Sequence, residues 1–173
     1  VQIPFILLVL PSFAWRTTVA STVFTGNVDI REGTLTLADR AAAGSNTKIA
    51  VTGDAATLHL TFPRPAGAGQ STPFFTGHDV TIRGRGVDGR GAFRYTATSD
   101  GGLDDVMLES LTLSGDASLA VPSRFGIEKA INLNGHTLTR VEGGAQWMWN
   151  STVCTIDAGV ISNATGTITL QDT

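Results

Sequence analysis

Cysteine is nearly absent: Cys154 stands alone in 173 residues. A single cysteine excludes an intrachain disulfide framework and any multi-cysteine metal site. Set in Thr152-Val153-Cys154-Thr155-Ile156, it reads as a small buried hydrophobe rather than a reactive thiol. Aromatic residues make up only 7% of the chain, so aliphatic side chains must build the core. The net charge is −3, and no basic run carries interleaved aromatics. That balance supplies no broad positive field, so nucleic acid is not expected as a partner. The most apolar run, Ile3 to Leu10, is too short to span a membrane.

What is present points to β-structure. The chain is 42% hydrophobic, contains 20 Gly, and is rich in Thr, Ser, Val and Leu. β-Branched residues suit pleated surfaces and glycine suits corners, so many short strands and very little helix are expected. The stretch from Thr25 to Thr61 holds four apolar pairs, each with one residue between its members: Val28/Ile30, Leu35/Leu37, Ile49/Val51 and Leu58/Leu60. A period of two marks a strand with one buried face. Between the pairs lie Glu32-Gly33, Ala43-Gly44-Ser45-Asn46 and Gly53-Asp54, all suited to tight turns. Strands that bury two side chains before bending are too short for a hairpin meander. They gain stability by stacking on copies of themselves, as in a solenoid.

The rhythm continues downstream at Val106/Leu108, Leu111/Leu113, Leu119/Val121, Ile131/Leu133, Leu138, Val153, Ile156, Val160/Ile161 and Ile168/Leu170. The whole chain, 1–173, is therefore read as one β-solenoid domain. It opens on Val1 and stops at Thr173 directly after a strand pair, so a fragment of a longer repeat protein is expected. Ile3 to Leu10 reads either as a strand or as the apolar part of a signal peptide. The strand is preferred, because Leu8-Val9-Leu10-Pro11-Ser12-Phe13 is echoed at Leu119-Ala120-Val121-Pro122-Ser123-Arg124-Phe125.

Several segments are candidates for function, and each has a plainer structural reading. Pro63 to Pro73 is a loop insertion that leaves the stack. Arg83, Arg85 and Arg90, interleaved with glycines, form a bend whose guanidinium groups suit an anionic sugar or phosphate; the plainer reading is a solvated corner. The glycine spacing there lacks the strand-then-helix setting of a nucleotide loop. Asp100, Asp104 and Asp105 offer oxygen ligands of the kind Ca²⁺ takes, without the spacing of an EF-hand loop. Trp147 and Trp149 serve as a sugar-stacking platform if exposed and as a packing plug if buried. Asn150-Ser151-Thr152 and Asn163-Ala164-Thr165 are glycosylation sequons that matter only in a eukaryotic secretory pathway.

The residues Thr25-Gly26, Gly33-Thr34-Leu35-Thr36-Leu37, Ala42-Ala43-Gly44, Ile49-Ala50-Val51 and Ala56-Thr57-Leu58-His59-Leu60 resemble the autotransporter-associated β-strand repeat. A partial second match runs from Ile131 to Thr139. The clear match covers about a quarter of the chain, and the leucine of the repeat's small-residue corner is Ala43 here. The resemblance implies a right-handed parallel β-helix from a secreted or surface-anchored bacterial protein, a setting in which large disulfide-free β-proteins are common. It implies a structural or adhesive role without catalysis and without a cofactor. The implied partners are a surface glycan or a host or neighbour-cell protein, the flanking repeats of the same chain, and a second copy end to end. Two other classes stay open. A carbohydrate-active β-helix, a lyase or glycosidase, would use Asp88, Arg90, Asp104 and Asp105 in one cleft. A glycan-binding module would use Trp147 and Trp149 with the Pro-rich loop. His59, flanked by Leu58 and Leu60, is expected to point outward.

Overall fold

The computed structural model describes residues 7–8, 14–17, 26–39, 41–44, 47–62, 75–96, 105–121, 124–142, 146–149, 155–156, 159–163 and 169–172. In chain order the strands are β1 (Leu7–Leu8), β2 (Ala14–Thr17), β3 (Val28–Ile30), β4 (Gly33–Leu37), β5 (Thr47–Val51), β6 (Ala56–Leu60), β7 (His78–Gly84) and β8 (Phe93–Tyr95). They continue as β9 (Asp105–Ala120), β10 (Arg124–Asn132), β11 (Thr137–Glu142), β12 (Gln146–Trp149), β13 (Thr155–Ile156), β14 (Val160–Asn163) and β15 (Thr169–Asp172). Among the described residues there is no α-helix, only a short 3-10 turn at Val87–Gly89.

Pairing skips along the chain. β1 pairs β3, β3 pairs β5, β5 pairs β7 and β7 pairs β9, while β2, β4, β6, β8 and β9 form a second series. Among the described residues every strand pairing is parallel. Each strand thus bonds to one a full circuit later, which makes the chain a parallel β-solenoid. The first ladder continues through Leu111–Leu113 of β9 and Ala130–Asn132 of β10 to β13. The second continues through Ala117–Ala120 of β9 to β11 and β14. A third joins the start of β9 to the start of β10, then β12 and β15, with Phe75 bridged to Leu108.

The period of two is what places the core. On the first ladder Ile30, Ile49, Val51, Ile82, Leu111 and Leu113 are buried, with the residues between them turned outward. On the second, Leu35, Leu58, Phe93 and Leu119 stand in one inward column, and Leu37, Leu60 and Tyr95 in another. Phe75, Leu108 and Ile127 close the third side. A slip of one residue would turn a whole strand's apolar set to solvent, so burial enforces the register. Full burial of such an aliphatic side chain is worth about 1.5–3 kcal/mol.

Corners between the first two ladders are stacked closely. Gly53 lies so near the preceding coil that a Cβ there would sit 1.6 Å from the Arg31 carbonyl oxygen. The amides of Thr52 and Gly53 donate to the Ile30 carbonyl at 2.9 and 3.4 Å, tying coil to coil. Gly84, at φ +85°, approaches Asp54 in the same way.

Three features depart from the sequence reading. β9 runs 16 residues and serves all three ladders, so its short apolar pairs belong to one strand bent around the stack. Val160 and Ile161 do not enter the core together: Val160 is 54% exposed while Ile161 packs against the core, as adjacent residues on a strand must diverge. Arg140, two residues after Leu138, is 1% exposed and continues the inward column of Leu35, Leu58, Phe93 and Leu119. The Pro-rich segment, Cys154 and most of Ile3–Leu10 lie outside the described residues, as do Asn150 and Ala164 of the two sequons.

Candidate functional site

The outer surface of the second ladder carries a column in register: Thr36, His59, Arg94, Ala120 and Glu142. Each follows a core residue by one position or lies across from one that does, so strand alternation turns the column outward. Across this surface folds the segment Arg85–Gly91, which leaves the coil and returns to it. The Gly91 amide donates to the Arg85 carbonyl at 2.8 Å and closes the excursion. Thr57, buried beneath it, accepts from the Val87 amide and donates to the Gly91 carbonyl, both at 3.0 Å. A Cβ on Gly86 would fall 2.0 Å from the Gly91 oxygen, so only glycine lets the two limbs close.

The excursion delivers Arg90 to the column. Arg90 Nε donates to Glu142 Oε1 at 2.9 Å and its Nη2 to Oε2 at 3.5 Å, which holds the Glu142 carboxyl below its ordinary value. Arg94 approaches the same carboxylate only to 3.8 Å, beyond hydrogen-bonding distance. His59 Nε2 is hydrogen-bonded to Thr96 Oγ1 at 2.9 Å. Its pKa is pushed down to about 4, first by burial of the ring and then by the charges of Arg94 and Arg90. At neutral pH this histidine is uncharged and a poor base, since a general base works best with a pKa near the working pH. The arrangement therefore suits holding a ligand better than moving a proton.

A second polar cluster lies where the third side meets the first. His78 opens β7 on the inward parity, 5% exposed, with its ring stacked on Phe75 at a centroid distance of 4.4 Å. Among the described residues its Nδ1 has no hydrogen-bond partner. Burial lowers its pKa, against opposing effects of the Thr47 backbone and Glu109. Glu109 accepts from Lys129 Nζ at 2.6 Å and from the Gly77 amide at 2.8 Å, and both bonds lower its carboxyl pKa. These bonds tie coil to coil and leave the carboxylate engaged.

The residues expected from sequence are dispersed. Arg83 turns to Asp54 on the preceding corner, with Nη2 to Oδ1 at 3.0 Å, under Gly115 of the next coil. Arg85 is exposed and makes no ion pair among the described residues. Arg90 alone of the three joins the outer column. Asp88 occupies the exposed tip of the excursion at φ 55°. Asp105 opens β9, while Asp100 and Asp104 lie outside the described residues. Among the described residues, no three His, Cys, Asp or Glu gather in a group able to hold a metal ion. Trp147 and Trp149 lie on β12 in register with Phe125 and Ile127; nothing beyond their backbone is described.

Sequence reasoning missed Arg94 and Glu142, and missed Arg140 in the core. The parity of Arg94, between Phe93 and Tyr95, was a usable signal for its outward direction. Its meeting with Glu142 was not, because the two belong to coils separated by the whole of β9. Comparison with known protein families, with curated proteins and with solved structures finds no match to this chain.

Proposed function

We propose that this chain is a non-catalytic structural or adhesive segment of a bacterial secreted or cell-surface protein of the autotransporter type, coiled as a right-handed parallel β-helix. One observation carries the reading: the strands that resemble the autotransporter-associated repeat are the strands that stack in register, β3 on β5 and β4 on β6. Parallel coils add about 4.8 Å of rise each, bond their backbones to the coils on either side, and hide aliphatic columns inside. A rod built this way is stiff and extendable, and its polar outer faces are free to meet a surface glycan or a neighbouring cell's protein. The ends of such a stack fit flanking repeats of the same chain or a second copy.

Two measurements test this. An antibody raised against the chain should label intact producing cells or their medium; label that appears only after lysis refutes the surface assignment. Polysaccharides incubated with the purified chain, with and without Ca²⁺, should yield no new reducing ends and no unsaturated products. Turnover lost in Asp88→Asn would instead make the chain a carbohydrate-active enzyme.

A further inference from the structure

The outer column brings two guanidinium groups to one carboxylate. Arg90 and Arg94 share Glu142, Arg90 takes both of its oxygens, and the other negative charge acting on Arg90 is Asp88, at the exposed tip of the excursion. The Arg94 side chain is 22% exposed; it ion-pairs with Glu142 at 3.8 Å, and its guanidinium makes no hydrogen bond among the described residues. A guanidinium carries five N–H donors in a planar fork, and withdrawing it from water without partners is costly. The fork matches an oxyanion that accepts two parallel bonds. Besides Glu142 and Arg90, the polar groups of this face are His59 and Thr96, which is bonded to it. Thr36 extends the column one coil further, at one residue per rung. That rise, about 4.8 Å, is close to the length of one pyranose along an extended glycan.

We propose that the outer face of the second ladder binds an acidic saccharide, with one carboxylate or sulfate on the Arg94 guanidinium and Arg90, and its remaining sugars along His59 and Thr36. This rests on the adhesive reading and names the chemistry such adhesion would use. Glu142 is then an internal competitor, occupying Arg90 until a ligand shares it. Burial of the ring is the main cause of the low pKa of His59, and the charges of Arg94 and Arg90 add to it.

The test uses the whole chain and the imidazole resonances of its three histidines. With trigalacturonate the His59 resonances should shift and its pKa should rise above about 4, because the ligand's negative charge offsets the charges of Arg94 and Arg90, while burial of the ring keeps it below 6.5. A sulfated disaccharide should act similarly, and uncharged maltotriose should not. Arg94→Ala should weaken trigalacturonate binding about tenfold or more, and Arg94→Lys, which keeps the charge and loses the fork, should recover only part. Glu142→Gln should tighten binding. His59 resonances and pKa that are both unmoved by trigalacturonate and by the sulfated disaccharide overturn the proposal and leave the solenoid and its surface location untouched. Equal response to inorganic phosphate overturns the saccharide assignment, and weaker binding in Glu142→Gln overturns the role of the competing carboxylate.

Discussion

Replacing Gly53 by alanine separates coil stacking from turn preference. The added Cβ would lie 1.6 Å from the Arg31 carbonyl oxygen and 2.6 Å from its carbon, both backbone atoms of the preceding coil. Neither atom can swing away as a side chain would, so the corner must lift. Lifting it breaks the bonds from the Thr52 and Gly53 amides to Ile30 and strands their groups at a crowded corner. Two lost bonds at roughly 0.5–1.5 kcal/mol each, with one group left unsatisfied at 1–3 kcal/mol, give about 4 kcal/mol. Gly89 is the control. It has φ +69° with open space around its Cβ position, so Gly89→Ala meets only left-handed strain of about 1 kcal/mol. In urea unfolding followed by far-ultraviolet circular dichroism, a slope of about 2 kcal/mol/M makes these losses roughly 2 M and 0.5 M in midpoint. Equal losses in the two variants would refute close stacking at this corner.

Other outcomes follow from the same contacts. Leu58→Ala, in a fully buried column between Leu35 and Phe93, should cost about 2–5 kcal/mol by equilibrium unfolding, and a loss under 1 kcal/mol contradicts its place in the core. Acid should weaken the fold through His59 and His78, whose folded pKa values lie below the unfolded 6.5. The unfolded chain then binds more protons, so both contributions are complete above pH 6.5 and fall as pH drops below it. For His59 the loss runs from 6.5 down to about 4; its nominal size is about 3 kcal/mol and partial exposure reduces it to about 1–2. His59→Gln should flatten that part of a stability-against-pH curve, and an unchanged curve rejects the shift. Thr57→Val, which removes the hydroxyl bonding Val87 and Gly91, should speed amide exchange at Val87 and Gly91 while leaving Leu58 protected. Unaltered exchange at Val87 would show that Thr57 does not clamp the excursion.

The strands between Thr25 and Thr61 were legible because their signal is local. Val28/Ile30, Leu35/Leu37, Ile49/Val51 and Leu58/Leu60 each need only the chain's own alternation to declare a buried face, and all eight side chains are buried. The same alternation turned His59 outward. Where a segment carried a second reading, sequence stopped short. The arginines at 83, 85 and 90 looked like one cluster, but Arg83 takes a carboxylate on a corner and Arg90 one on the second ladder, because residues seven apart straddle a corner and an excursion.

Local periodicity by itself therefore determined that this chain forms short strands with apolar inner faces, broken by glycine and small polar corners, and too short to stand without stacking. Tertiary structure decided which strand lies on which. Coil lengths differ, so no fixed sequence interval says that Leu58 meets Phe93 or that Ala120 lies between Arg94 and Glu142. That pairing is set by burying whole columns at once, and only after it is set do Arg90, Arg94, His59 and Glu142 share a surface. Arg140 shows the same division: alternation from Leu138 gives its direction, while the column of Leu35, Leu58, Phe93 and Leu119 that it extends exists only in the stacked molecule.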